Sequence, residues 1–416
     1  MKVLLKIAIR NLFRNKKRSL ITMLAVSIGL GALIFLRSFI FGAQNQMVGN
    51  VINTLTGDIQ ILPTGQENIY NTNGAIENPE TIRQLLKNDP RVLHFAEEVG
   101  ASGIAASATA SLPTFASGYN PNDEASTEFR IPIIQGRRLT TADDYGIVIG
   151  EKMRKILEIE IGDKVVVTFQ DYHGGLAGEA FKLTGTFETG NDQIDNGNVL
   201  LLRPTLQRLL GFEHRISKFI LKIDPHYQPD ELAKDFRKKI QEMEADASPY
   251  QGTSLSVMTW EEILPLIAQM IRFQNGMILV IVFIVLTVVT TGILNTLMMS
   301  ITERTREFGL MAALGTSPSA VMMVVTLESF FLTTAGALAG ILFGIGFTFY
   351  FGHVGIDLSR FLSTVSNLLI GSHVYPRLDI SSLLLFLGIV TGGNLVVSLQ
   401  PAWRASRLQP VEAMRV

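Results

Sequence analysis

The sequence predicts an α-helical membrane protein, with four transmembrane helices and an α+β extracytoplasmic domain inserted between helices 1 and 2. Three observations carry this. The apolar fraction is an ordinary 47%, yet the mean hydropathy of +0.29 shows apolar residues gathered into a few long blocks. The first eighteen residues hold Lys2, Lys6, Arg10, Arg14, Lys16, Lys17 and Arg18 and no acid. Between the first and second apolar blocks, short β-rich runs alternate with helical ones, the pattern of a folded domain.

The basic residues Lys2, Lys6, Arg10 and Arg14 recur every fourth position, while Leu5, Ile9, Leu12 and Phe13 mark another face. Residues 1–19 therefore read as an amphipathic helix on the cytoplasmic leaflet; a plain positive-inside signal fits the same residues. Residues 20–43 form the first span. A bilayer core needs about 20 helical residues, and the block exceeds the roughly 7–15 of a signal-peptide core, so it reads as an uncleaved anchor. Arg37 sits near its outer end and is expected to snorkel.

Residues 44–270 should be extracytoplasmic, because the basic cluster holds the N-terminus inside. Strands are expected at 57–63, 129–134, 164–169, 181–187, 199–202 and 219–223, and helices at 79–87, 151–157, 204–210 and 229–245. Cysteine is absent, so this domain relies on its own core, without disulfides or zinc–thiolate sites. Both ends, 44–55 and 260–275, read as helical extensions toward the spans; a relay stalk and a plain connector look alike here. Pro265 marks a kink or a helix start.

Residues 276–300 form the second span, and Asn295 within it is expected to hydrogen-bond a neighbouring helix. Residues 301–317 follow on the cytoplasmic side as a short amphipathic helix. Glu303 and Arg306 are spaced to pair, Phe308, Met311, Ala312 and Leu314 offer an apolar side, and Gly315 stops the helix. Ser317 is expected to cap the next helix, with Pro318 as its first residue. That third span, 318–350, carries Gly336, Gly340 and Gly344 at every fourth position, a smooth face for close helix packing. Glu328 lies two turns in, within reach of the inner interface. Residues 351–379 make an outer loop, 380–400 the fourth span, and 401–416 a cytoplasmic tail with Arg404, Arg407 and Arg415. Trp403 suits the inner interface and Tyr375 the outer one.

Catalytic chemistry finds little support. No Gly-x-x-x-x-Gly-Lys-[Ser/Thr] loop, Gly-x-Ser-x-Gly elbow or His-Glu-x-x-His pair occurs, and the six histidines show no ligand spacing. Residues 191–198 form an acidic turn without EF-hand spacing, read as an ordinary loop. A net charge of −1 gives no reason to expect nucleic acid.

Asn295-Thr-Leu-Met-Met-Ser300, Glu303-Arg-Thr-Arg-Glu-Phe-Gly-Leu-Met-Ala-Ala-Leu-Gly315, Glu328 and Pro401-Ala-Trp-Arg-Ala-Ser-Arg-Leu-Gln-Pro-Val-Glu-Ala-Met-Arg415 resemble the MacB/FtsX family of ABC-transporter permeases over the whole chain. The resemblance implies a MacB-like periplasmic core for the outer domain. It implies an ATPase-coupling helix made by Glu303, Arg304, Arg306, Glu307, Phe308, Leu310, Leu314 and Gly315, and packing roles for Gly336, Gly340, Gly344, Asn295 and Glu328. It further implies a separate ATPase dimer that binds the ATP and magnesium, a second permease copy or paralogue, and no catalysis or cofactor in this chain. Gly57-Asp-Ile-Gln-Ile61, Gly136-Arg-Arg-Leu139, Ile161-Gly-Asp-Lys-Val165 and Thr189-Gly-Asn-Asp-Gln-Ile-Asp195 are most similar to the lipoprotein-releasing LolC/LolE branch. That branch implies a bacterial inner membrane, both termini cytoplasmic, a lipoprotein substrate taken from the outer leaflet, and a periplasmic carrier. Unlike the macrolide exporter, this sequence shows no ATPase domain. Three alternatives stay open: an FtsX-like signalling permease that controls cell-wall hydrolases, efflux of a small amphiphile or peptide, and a membrane-anchored receptor with no ATPase.

Overall fold

The computed structural model describes residues 10, 16–65, 74–121, 131–189, 192–245, 253–358 and 373–407. Most of the amphipathic leading segment, the end of the tail with Arg415, and Phe129 and Arg130 lie outside the described residues. Two compact units emerge. The described residues of one fall within Met1–Asn45, Met270–Leu358 and His373–Val416; those of the other fall within Gln46–Gln269.

The first unit is a bundle of long helices. Helix α1 spans Lys16–Val51, α8 Pro265–Glu303, α10 Pro318–Val354 and α11 Ile380–Ser406. All four are long and apolar enough to cross a membrane. Pro265 is the first residue of α8, so of the two readings open to it the helix start is the one realised. Helix α11 continues through Pro401 to Ser406, past the expected end of the fourth span. A proline here removes one N–H from the helix ladder without ending it.

Glycines set the close contacts between α1 and α10. A Cβ on Gly336 would lie 2.8 Å from the Val26 Cβ, one on Gly340 2.8 Å from the Ser27 carbonyl oxygen, and one on Gly344 2.8 Å from the Ile34 Cβ. Gly31 returns the contact, 3.1 Å from the Gly340 carbonyl. Bare backbone lets the two helices approach where a side chain would hold them apart. Across the bundle, Thr22 meets Thr296 at 2.9 Å, and the Thr290 hydroxyl donates to Asn394 Oδ1 at 3.0 Å. Val26, Leu30, Leu33, Ile34, Val282, Val289, Phe386 and Val390 fill the centre. Beyond α10, β11 (Ile356–Asp357) pairs antiparallel with β12 (His373–Val374).

The second unit holds the strands β1 (Ile59–Pro63), β2 (Val92–Ala106), β3 (Ser111–Tyr119), β4 (Ile133–Gly136), β5 (Gly146–Gly150), β6 (Lys164–Gln170), β7 (Leu176–Phe187), β8 (Asn198–Leu202), β9 (Lys218–Ile223) and β10 (Leu255–Thr259). Among them lie α2 (Pro79–Lys87), α3 (Glu151–Leu157), α4 (Asp192–Gly197), α5 (Arg203–Leu210), α6 (Pro229–Ala245) and α7 (Trp260–Ile263). The pairing order β10-β1-β9-β2 makes a four-stranded antiparallel sheet. The far half of β2 then pairs with both β3 and β6, and β3-β8-β5-β7-β6 returns to β2, closing a ring of six strands. Only β3–β8 and β5–β7 run parallel among these pairs.

One core runs through sheet and ring: Ile59, Ile61, Ile82, Leu86, Phe219, Leu221 and Phe236 at the sheet; Val99, Val165, Val167, Phe169, Phe181, Val199 and Leu201 inside the ring. Val148 and Leu200 point the other way, into a second cluster with Tyr119, Leu139 and Phe187. Strands β5 and β8 are thus buried on both faces, which is why they read as unbroken apolar runs. The long β2 and β3 were not expected. Gly100 and Gly103 weaken the β2 signal, yet a Cβ on Gly100 would lie 2.6 Å from the Phe115 ring, and one on Gly103 2.6 Å from the Phe169 ring. The aromatic rings occupy the space the glycines leave.

Residues 192–197, expected to be loop, form the short α4. Asp195 is used locally: it accepts from the Thr189 N–H and hydroxyl at 2.8 Å each. Ionic contacts tie the sheet to its helices and strands. Asp89 takes the Arg91 guanidinium at 2.8 and 2.9 Å and Lys239 of α6 at 3.2 Å. The hydrogen bonds from Arg91 hold the Asp89 carboxyl well below the usual carboxylate range against the opposing effect of burial. Glu98 and Lys218, cross-strand partners on β2 and β9, form a buried pair at 3.4 Å.

Candidate functional site

Helix α8 ends at Glu303. Arg304 then adopts φ −110°, ψ 14°, and a separate helix, α9, runs Thr305–Ala313. Gly315 turns the chain at φ +84°, where its own N–H reaches the Ala312 carbonyl and the Thr316 N–H reaches Met311, both at 3.0 Å. Such a left-handed turn suits glycine and satisfies carbonyls at the helix end. Pro318 opens α10 with Ser317 at the cap position, but the Ser317 side chain makes no capping bond; its hydroxyl lies 3.1 Å from that of Ser319. The expected cap is right in position and wrong in chemistry.

The apolar side expected of this segment divides in two. Phe308, 2% exposed, packs inward with Ile301, Val321, Val325, Ala402 and Ala405, and Met311 joins at the margin. It anchors α9 on its own bundle. Leu310 and Leu314 point outward, 54% and 79% exposed. Glu303, Arg306, Glu307 and Gly315 are also exposed. Positions 306, 307, 310 and 314 share one helical face, so α9 presents an outer edge of mixed charge with two leucines.

Beneath that edge sits Arg304. Its Nε donates to Glu307 Oε2 at 2.9 Å, its Nη1 to Glu328 Oε2 at 3.0 Å, and its guanidinium stacks 5.0 Å over the Phe308 ring. The Arg304 and Glu328 side chains are 7% and 10% exposed. Ser300 Oγ adds a bond to Glu328 Oε1 at 3.5 Å. Glu328, within reach of the inner interface by its position in the sequence, is paired with Arg304 here. A planar, always-charged fork that serves two acids and an aromatic face is chemistry lysine cannot copy. Within the connection, Arg304 and Glu307 form an i,i+3 ion pair.

Two further expectations are corrected. Asn295 is exposed; the amides that bond across the bundle include Asn394, 1% exposed, and Gln44, which donates to Gln274 at 2.9 Å. Arg37 does not merely snorkel. Its Nη2 and Nε reach Asp379 Oδ2 at 2.8 and 3.2 Å, and it also bonds Ser382 Oγ and Asn275 Oδ1, both at 3.0 Å. Asp379 and Ser382 were missed, although a carboxylate just before a span, with serine three residues on, is a helix-cap signal. Among the described residues no group of acids and histidines is arranged to hold a metal.

A MacB-like periplasmic core domain matches residues 19–239, and an FtsX-like permease C-terminal domain matches residues 279–410. The chain belongs to the MacB/FtsX family of ABC transporter permeases. Among relatives of this family, the lipoprotein-releasing system transmembrane protein LolC of Neisseria meningitidis is 25% identical, covering 97% of this chain and 95% of that one. The ABC transporter permease YvrN of Bacillus subtilis is 26% identical, over 99% and 98%. The macrolide export ATP-binding/permease protein MacB of Campylobacter jejuni is 24% identical; it matches 98% of this chain, which spans 60% of the relative's length. The FtsX-like match covers α9, its outer edge, and the Arg304–Glu328 pair. The chain is thus a permease of MacB/FtsX/LolC type, from a family of membrane proteins that work with an ATPase.

Proposed function

We propose that this permease couples ATP hydrolysis in a separate ATPase subunit to movement of its α+β unit, which extracts a lipidated protein or a related amphiphile from the outer leaflet of the inner membrane. The observation that carries the reading is the outer edge of α9: Leu310 and Leu314 exposed beside the charged Arg306 and Glu307, on a helix fixed from behind by Phe308 and Arg304. An apolar edge rimmed by charge is the composition of a docking surface. The basic residues near α1 support an orientation with both termini and α9 in the cytoplasm and residues 44–270 outside. Two permease chains with two ATPases complete the assembly. The glycine-packed contact of α1 with α10 is consistent with helices that transmit movement rather than line a channel. The lipoprotein substrate rests on the similarity to LolC.

The test is ATPase activity of the co-purifying ATPase in lipid with this permease, with and without acylated lipoprotein. Stimulation by the acylated form alone is expected. Equal response to the unacylated protein would remove the substrate, and failure of any ATPase to assemble would remove the reading itself.

A further inference from the structure

The peptide ladder between α8 and α9 is broken at Arg304, so the backbone alone does not make the two helices one rigid rod. Side chains bridge the break. Arg304 reaches forward to Glu307 on α9 and across to Glu328 on α10, while Phe308 of α9 sits on Val321 and Val325 of α10 and on Ala402 and Ala405 of α11. Packing of Phe308 resists separation but does little to define rotation about the helix axis. A charged fork with two fixed acceptors does define it, because the hydrogen bonds are directional and the pair is largely out of water.

We infer that Arg304 and Glu328 are positioning residues: their buried ion pair locks α9 in one rotational setting on α10. A push on the outer edge of α9 then moves α8, α10 and α11 together. This inference rests on the reading of α9 as the ATPase-docking element. The outer edge and the buried pair meet only at Glu307, which lies on the edge and accepts from Arg304. Leu310, Leu314 and Arg306 are exposed and supply contact, whereas Glu328, with only about a tenth of its side chain exposed, faces away from any partner on that edge. Loss of the lock therefore leaves docking in place and removes the consequence of docking. Nature's use of arginine fits, since lysine has one point of charge for two acids and no planar face for Phe308.

The experiment uses the full chain in lipid nanodiscs as wild type, Glu328→Gln, Arg304→Lys and the charge swap Arg304→Glu with Glu328→Arg. Hydrogen exchange of the α9 amides is measured on the permease alone. Binding and permease-dependent turnover are measured with the ABC ATPase that co-purifies with the wild-type chain. Glu328→Gln, which keeps shape and removes charge, should speed α9 exchange by about tenfold and cut stimulated turnover by about tenfold at unchanged ATPase affinity. Arg304→Lys should lie between, and the swap should recover part of both. Unchanged exchange in Glu328→Gln overturns the lock. Faster exchange with full turnover overturns its role in coupling. If the wild-type chain binds no ATPase, the docking reading fails and takes the coupling role with it, while the exchange data still decide whether the lock exists.

Discussion

Arg37 and Arg304 belong to the same helical bundle, and each is answered by a carboxylate from a distant helix, yet they are used differently. Arg37 sits in mid-helix, and its partners are one acid, Asp379, two neutral groups, Ser382 and Asn275, and the Phe41 ring at 5.3 Å one turn along its own helix. It joins three helices laterally where each is already complete. Arg304 sits where a helix stops, shares itself between two acids and an aromatic ring, and substitutes for a missing stretch of ladder. The first arrangement makes a bundle stable; the second makes one part of it follow another. Polar residues in a membrane bundle are expensive, and this contrast shows two distinct returns on that expense.

The largest effect is expected from Asp379→Ala. It strands Arg37 and removes the Ser382 N–H acceptor at the start of α11, and breaking such a pair typically costs about 3–5 kcal/mol. Thermal unfolding in lipid should show it, with bundle and coupling lost together; a stable bundle would erase the contrast with Arg304. Next, Gly340→Leu places atoms against the Ser27 backbone and should cost about 1–3 kcal/mol, whereas Gly388→Ala on α11, with open space at its Cβ, should be neutral in the same assay. Glu307→Ala removes the more exposed of the two Arg304 partners and should shift stability by less than about 1 kcal/mol; a shift as large as that of Asp379→Ala would mean that Glu307, not Glu328, holds the arginine.

The α+β unit provides a pH contrast. Asp89 is held below its ordinary range by Arg91, so its contribution is complete above the unfolded value of about 3.9 and fades as pH falls through and below it. With Trp403 replaced by Phe, Trp260 reports on this unit alone. Its melting temperature should drop below about pH 4, and Asp89→Asn should flatten that dependence.

Legibility in the sequence followed the length scale of the forces. The long apolar helices were plain because a bilayer-length run leaves few alternatives. Helices 79–87, 151–157 and 229–245 were equally plain, since Pro79 and Pro229 mark starts and the left-handed Glu158 simply follows the last turn of α3. Strands β2 and β3 were hidden because Gly100, Gly103 and Ser117 answer to neighbours far along the chain. The same holds at the site. The segment Glu303–Gly315 stood out by local pattern, and so did Glu328 as a costly charge. That Arg304 joins them, that Phe308 turns inward while Leu310 and Leu314 turn out, and that Asn394 rather than Asn295 bonds across the bundle depend on which helix lies beside which.

Strand β2 is fifteen residues long and belongs to both the four-stranded sheet and the closed ring. Multilobed domains commonly bend at a few residues between lobes. Here the two lobes share a single beam, clamped by β9 along its first half and by β3 and β6 along its second. Bending between them would tear hydrogen bonds from partners on both sides at once. Sheet and ring are therefore tied into one body by a strand that neither can release without losing hydrogen bonds to the other.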